Sequence, residues 1–283
     1  MCDNDINSGL FEDWSLTRRT FVALGAAAAL SGTAAYAADD IVETDVSIKT
    51  PDGTADAVLF HPGGKGSWPA VLMWPDIFGL RPVFREMGRR LAAQGYTVLV
   101  PNPFYRSMSS KDILAGGPNP DMQKMFGYRN AIKDEGIDKD AVAFLAFLDA
   151  QGATNKKKKA GVQGYCMGGP FAFHTGAVVA DRIGAVATFH GAALVTKDAS
   201  SPHLLIPKTK AAFLCCVARN DDARGPTDKD TLKAAFAAAG RPAIVEVYPA
   251  DHGWCVPGSQ VYNMEAAEKA WAALTVLYKA NLV

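Results

Sequence analysis

The chain has 283 residues, of which 49% are hydrophobic and 20% charged. Those proportions exclude a disordered polypeptide and fit one large globular domain or two small ones. A formal net charge of +0 supplies no basic field for nucleic acid, so the expected partner is a small molecule.

The first forty residues differ from the rest. Arg18 and Arg19 precede an alanine-rich apolar run that ends in Ala35-Tyr36-Ala37. This is the order of a signal peptide over residues 1–37, with paired arginines of the twin-arginine type. A membrane anchor is the alternative, but the run is short and only weakly hydrophobic for a span. Cleavage after Ala37 removes four acidic and two basic residues and Cys2, leaving a single domain over 38–283 with a net charge of +2. The expected location is periplasmic or secreted, with no stable membrane insertion once the signal is removed. Of the remaining cysteines, Cys215 and Cys216 are adjacent in an apolar run and must point to opposite faces of a strand. A twin-arginine substrate also folds in the reducing cytoplasm, so thiols rather than disulfides are expected.

From residue 40 onward, strand and helix signals alternate. IVETDVSI (41–48), the Pro51-Asp52-Gly53 turn and residues 55–60 predict an antiparallel hairpin at a sheet edge. PAVLMW (69–74) and YTVLVP (96–101) are continuous apolar runs of buried strands, separated by a helix over 82–94. Residues 102–135 have weak periodicity and are expected to pass over the sheet as an excursion. Helices are predicted over 137–151, 167–180, 227–239 and 260–282, and strands over 160–165, 184–190, 211–218 and 243–248. Such alternation predicts an α/β fold with a mostly parallel central sheet and helices on both faces. Lys156 to Lys159 read as a solvated loop.

Chemistry concentrates at Gly164-Tyr165-Cys166-Met167-Gly168, a G-x-nucleophile-x-G run where a strand ends and a helix begins. A nucleophile on such a sharp turn needs glycines on either side, and the turn aims the Met167 N–H at an incoming carbonyl oxygen. A cysteine buried in a glycine-rich turn is the plainer alternative. In this architecture an acid and then a histidine follow the nucleophile in the chain. Asp221 lies after strand 211–218 and His252 after strand 243–248, both at carboxyl ends. Asp222 remains an alternative acid. Among the other histidines, His190 is a weak candidate for the pocket wall. No motif for a metal or nucleotide is present, and no cofactor is expected.

GYCMGG, the aspartate after strand 211–218 and the DHGW segment together resemble the dienelactone hydrolase family of α/β-hydrolases, over residues 41–282. The resemblance implies a carboxymethylenebutenolidase-like hydrolase of a small ester or lactone, working through a Cys166-His252-Asp221 triad and a thioester. It implies that Ile77 N–H is a second oxyanion donor beside Met167. It also implies that Asp76, standing where glutamate is usual, pairs with the resting thiol, and that Arg106 binds a substrate carboxylate. Val256 occupies the place of a second arginine. A non-catalytic periplasmic binding protein on the same scaffold is the rival reading. A thiol redox protein is a third, though the chain has no C-x-x-C.

Overall fold

The computed structural model describes residues 36–37, 40–117 and 120–283. The expected signal peptide therefore lies, apart from Tyr36 and Ala37, outside the described residues. Among those described, no helix is long and apolar enough to cross a membrane.

One eight-stranded sheet organises the chain. Its strands are β1 (Ile41–Thr50), β2 (Gly53–Pro62), β3 (Ala70–Trp74), β4 (Thr97–Pro101), β5 (Ala160–Tyr165), β6 (Ile183–Phe189), β7 (Ala212–Ala218) and β8 (Ala243–Tyr248). They lie in the order β1-β2-β4-β3-β5-β6-β7-β8. β1, β2 and β4 pair antiparallel, and β3 to β8 with β4 form the parallel part. The hairpin expected at residues 41–60 is present, with Thr50 opposite Gly53.

Helices cover both faces: α1 (Pro82–Ala92), α2 (Ser110–Ala115), α3 (Met122–Ala131), α4 (Asp134–Ala150), α5 (Gly168–Val178), α6 (Arg219–Arg224), α7 (Asp228–Ala238) and α8 (Met264–Asn281). α1 starts on a proline, whose missing N–H costs nothing in a first turn, and buries Val83, Phe84, Met87, Leu91 and Ala92. With α8 it closes one apolar core, while α4, α5 and α7 close the other. Cys215 and Cys216 fall in opposite cores, as adjacent strand residues must. The excursion 102–135 contains α2 and α3. Their first turns are capped by Ser109 and Asp121 side chains, but α2 buries nothing and α3 only Met125. The last helix begins at Met264, four residues later than expected, because Asn263 caps it by accepting from Ala266 N–H.

β5 is buried along its whole length, including the polar Gln163. Burying that amide is tolerable because Tyr278 OH donates to Gln163 Oε1 at 2.9 Å and Gln163 Nε2 donates to Tyr165 OH at 2.8 Å. Trp74 Nε1 likewise donates to Thr175 Oγ1, tying β3 to α5. α5 in turn lies hard against the strand ends, backbone to backbone. A Cβ on Gly164 would sit 1.9 Å from the Gly168 carbonyl oxygen, and one on Gly168 would sit 2.5 Å from the Trp74 carbonyl oxygen. Both obstacles are backbone and cannot swing away. Gly164→Ala should therefore destabilise the protein by roughly 3 kcal/mol or more, lowering the thermal midpoint by about 10 °C. A melt within a degree or two of the parent would refute this reading of the turn.

Candidate active site

Four consecutive neighbours in the sheet, β5 to β8, deliver the polar groups of one site from their carboxyl ends. Cys166 follows β5 directly and adopts φ 51°. That left-handed conformation is strained for a side-chain-bearing residue and lifts the side chain clear of the chain's path. The Cys166 carbonyl accepts from Gly169 N–H and Ala192 N–H at 3.0 Å each, and its own N–H donates to Phe189 O. The turn is thus fixed by backbone bonds on both sides.

β6 ends in a second such residue. His190, φ 41°, follows Phe189 as Cys166 follows Tyr165, and its N–H donates to Cys216 O at 2.8 Å. Tyr165 and Phe189 are register partners, and their rings stack at 4.9 Å. The two bends therefore stand side by side on one aromatic platform.

β7 and β8 supply an acid and a second imidazole. Asp221 lies in the short helix α6, and the loop 250–254 is stitched to that helix at successive residues. Arg219 N–H donates to Ala250 O, the Arg219 guanidinium to Asp251 Oδ1, and His252 N–H to Asn220 Oδ1. Finally His252 Nδ1–H donates to Asp221 Oδ2 at 2.6 Å. Trp254, fully buried and stacked on Tyr248 at 4.7 Å, anchors the far side of the loop. Asp222 instead pairs with Lys229 at 2.7 Å.

Cys166, His190 and His252, all buried, each bring one donor atom to within 4.8 Å of the others. The two imidazole rings lie 4.7 Å apart. His252 Nε2 and both His190 ring nitrogens have no hydrogen-bond partner among the described residues. Leaving such groups dry costs about 1–3 kcal/mol apiece. Burial, and then the neighbouring His252, hold His190 well below the ordinary histidine range, so its ring is neutral at physiological pH. Sequence reasoning gave His190 only a marginal place and overlooked Asn220. Both sit at strand ends, which was the available signal.

Met167, first after the bend, is buried, and so is Ile77. Among the described residues neither amide N–H donates to a backbone carbonyl. Asp76 anchors the loop that carries Ile77. Its two oxygens accept from Arg81 Nη1 at 2.5 Å and Nη2 at 2.8 Å, and Oδ1 also accepts from Phe78 N–H. Arg81 is itself 1% exposed and lies over the rings of Phe78 and Phe84. Arg106 grips Asp140 through both terminal nitrogens, at 2.7 and 2.8 Å, and binds Asp52 and Gly136 O as well. A substrate carboxylate reaches this guanidinium only in competition with two carboxylates already seated. Val256 is buried in the core on the α1 and α8 face.

The remaining thiols are inert by environment. Cys215, Cys216 and Cys255 are buried and form no disulfide, and burial raises each of them, Cys216 to about 12.

Breaking the Asp76–Arg81 pair from one side strands a buried charge. Asp76→Asn should cost about 3–5 kcal/mol of unfolding free energy, read by denaturant titration. Replacing both partners with apolar residues of similar volume should recover most of that loss.

The sequence profile of the dienelactone hydrolase family matches residues 55–282. A Methylorubrum extorquens protein provisionally named a carboxymethylenebutenolidase is 26% identical over 96% of this chain and 95% of its own length. The carboxymethylenebutenolidase of Rhodococcus opacus is 25% identical over 71% of this chain and 75% of its own. A crystal structure from Klebsiella pneumoniae, provisionally named a dienelactone hydrolase, superposes with a TM-score of 0.74 at 22% identity. It covers 84% of this chain and 98% of that one, a likeness of fold. With the profile spanning four-fifths of the sequence and the cysteine bend, acid and imidazole at successive strand ends, the chain belongs to the dienelactone hydrolase family of α/β-hydrolases.

Proposed function

We propose that the protein hydrolyses a small ester or lactone, in the manner of a carboxymethylenebutenolidase, with Cys166 as nucleophile. The observation that carries this reading is the approach of Cys166 and His252 donor atoms to within 4.8 Å, with Nδ1 of the His252 imidazole bound to Asp221. Catalytic hydrogen bonds are often long without substrate and tighten when it binds.

The cycle begins as His252 Nε2 takes the thiol proton and the Cys166 sulfur attacks the carbonyl carbon. The Asp221 carboxylate holds Nδ1–H in place and stabilises the imidazolium that forms. The oxyanion is met by the Met167 and Ile77 amides, each worth about 3–4 kcal/mol in comparable sites. Collapse breaks the C–O bond to the leaving alkoxide, which takes the proton from His252; in a lactone the ring opens and the hydroxyl stays tethered. Water, deprotonated by His252, then attacks the thioester and releases the acid and the thiol. Asp76 serves in this scheme as the brace that keeps the Ile77 amide aimed.

The paired arginines and the Ala35-Tyr36-Ala37 run support export by the twin-arginine route. N-terminal sequencing of the exported protein should then begin at Ala38, and an intact Met1 would refute cleavage there.

A panel of activated esters and lactones, with and without iodoacetamide, tests the activity itself. Cys166→Ala should abolish turnover. Asp221→Asn should lower kcat by about 10⁴-fold, since the imidazole loses its held tautomer. Asp222→Asn should stay within about threefold, because that carboxylate is engaged with a surface lysine. Undiminished hydrolysis by Cys166→Ala, or the reverse ranking of the two aspartates, would refute the assignment.

A further inference from the structure

His190 has no task in the hydrolytic cycle, yet it is 1% exposed, it sits on a left-handed bend, and neither ring nitrogen meets a partner among the described residues. His252 is 8% exposed and its Nε2 is likewise without one. Both rings converge with the Cys166 sulfur, one donor atom from each residue lying within 4.8 Å of the others. A sulfur and two imidazole nitrogens are the donor set of a borderline-soft cation rather than of magnesium or calcium.

We propose that Cys166, His190 and His252 form a binding site for a thiophilic divalent cation, zinc by ligand preference, whose occupancy reversibly closes the hydrolytic centre. Zinc–sulfur bonds of about 2.3 Å and zinc–nitrogen bonds of about 2.0 Å place tetrahedral donors about 3.5 Å apart. The donors, now within 4.8 Å of one another, would have to close by at most about 1.3 Å to reach that value. The surroundings suit a metal in a second respect. His252 Nδ1–H is bound to Asp221, which leaves the Nε2 lone pair outward, the carboxylate–histidine arrangement that orients metal-bound imidazoles. Three protein donors leave a fourth position for solvent.

Binding is a simple exchange. The Cys166 S–H bond breaks, an S–Zn bond forms, and the proton passes to solvent with no change of oxidation state. His252 and His190 donate lone pairs. The nucleophile and its base are then both engaged, so hydrolysis stops until a chelator withdraws the ion. Because a proton is released, binding weakens as pH falls. The site itself does not depend on the hydrolase reading; its inhibitory effect does.

The test is cobalt titration of the chelator-stripped full-length protein. One equivalent of Co²⁺ should raise a near-ultraviolet thiolate-to-cobalt charge-transfer band, which Zn²⁺ abolishes by displacement and Mg²⁺ leaves untouched. The band should be missing in Cys166→Ala, and His190→Ala should bind at least tenfold more weakly, circular dichroism showing both variants folded. In wild type, Zn²⁺ should suppress ester turnover and EDTA restore it, with His190→Ala requiring at least tenfold more Zn²⁺. No band in wild type, a band that survives Cys166→Ala, or unchanged affinity in His190→Ala would each overturn the site. Absence of the wild-type band overturns the site even if a variant fails to fold. Hydrolysis that depends on Cys166 without a cobalt band defeats the metal site alone. Cobalt binding through these residues in a chain that hydrolyses nothing supports the site and defeats the hydrolase reading.

Discussion

The closeness of α5 to the end of β5 constrains everything else in the site. With less than 2 Å between a would-be Gly164 Cβ and the Gly168 carbonyl, strand and helix meet through bare backbone. The chain has room to reverse only by placing the intervening Cys166 in the left-handed region. The same tightness packs α5 onto β3, where Trp74 Nε1 donates to Thr175 Oγ1. Helix α5 and the Cys166 bend are thus positioned by one contact that neither glycine can surrender.

Around that bend the electrostatics are arranged by burial more than by formal charge. His190 is neutral because its surroundings are apolar and His252 stands beside it. The acid that orients His252 is partly exposed, and it also faces Arg224 at 3.5 Å. The buried Asp76–Arg81 pair cancels its own charge and serves as a clamp on the loop before α1. The Arg106 guanidinium is likewise engaged inside the protein, by Asp140 and Asp52.

Much of the fold was legible in the sequence because strands buried on both faces read as unbroken apolar runs, and the glycines of Gly-x-Cys-x-Gly mark the tight strand-to-helix bend on which Cys166 sits. The two helices of the excursion were not legible: α2 and α3 bury almost nothing, so no apolar period marks them, and only their caps do. Nor could sequence separate Asp221 from Asp222. Both are acidic, adjacent and at the same strand end. The difference lies in partners, since Arg219 and Asn220 hold the loop of Asp251 and His252, 32 positions on, beside Asp221, while Lys229 occupies Asp222. The partners of Arg106 and Asp76 are of the same kind. A resemblance can assign such residues a role, but what holds them is set by Asp140 on α4 and by Arg81. His190 was visible only as a histidine at a strand end, and its weight comes from Tyr165 stacking on Phe189 across the ladder.

Cys166, His190, Asp221 and His252 cap strands that add to the sheet in the order in which they are synthesised. The thiol accordingly leaves the ribosome well before either the carboxylate or the final imidazole. A nascent chain that has reached β7 carries the sulfur but lacks the His252 imidazole, and only docking of the outermost strand brings the two together. The cluster of thiol and two imidazoles is thereby completed only with the last strand, and the half-made polypeptide does not contain it.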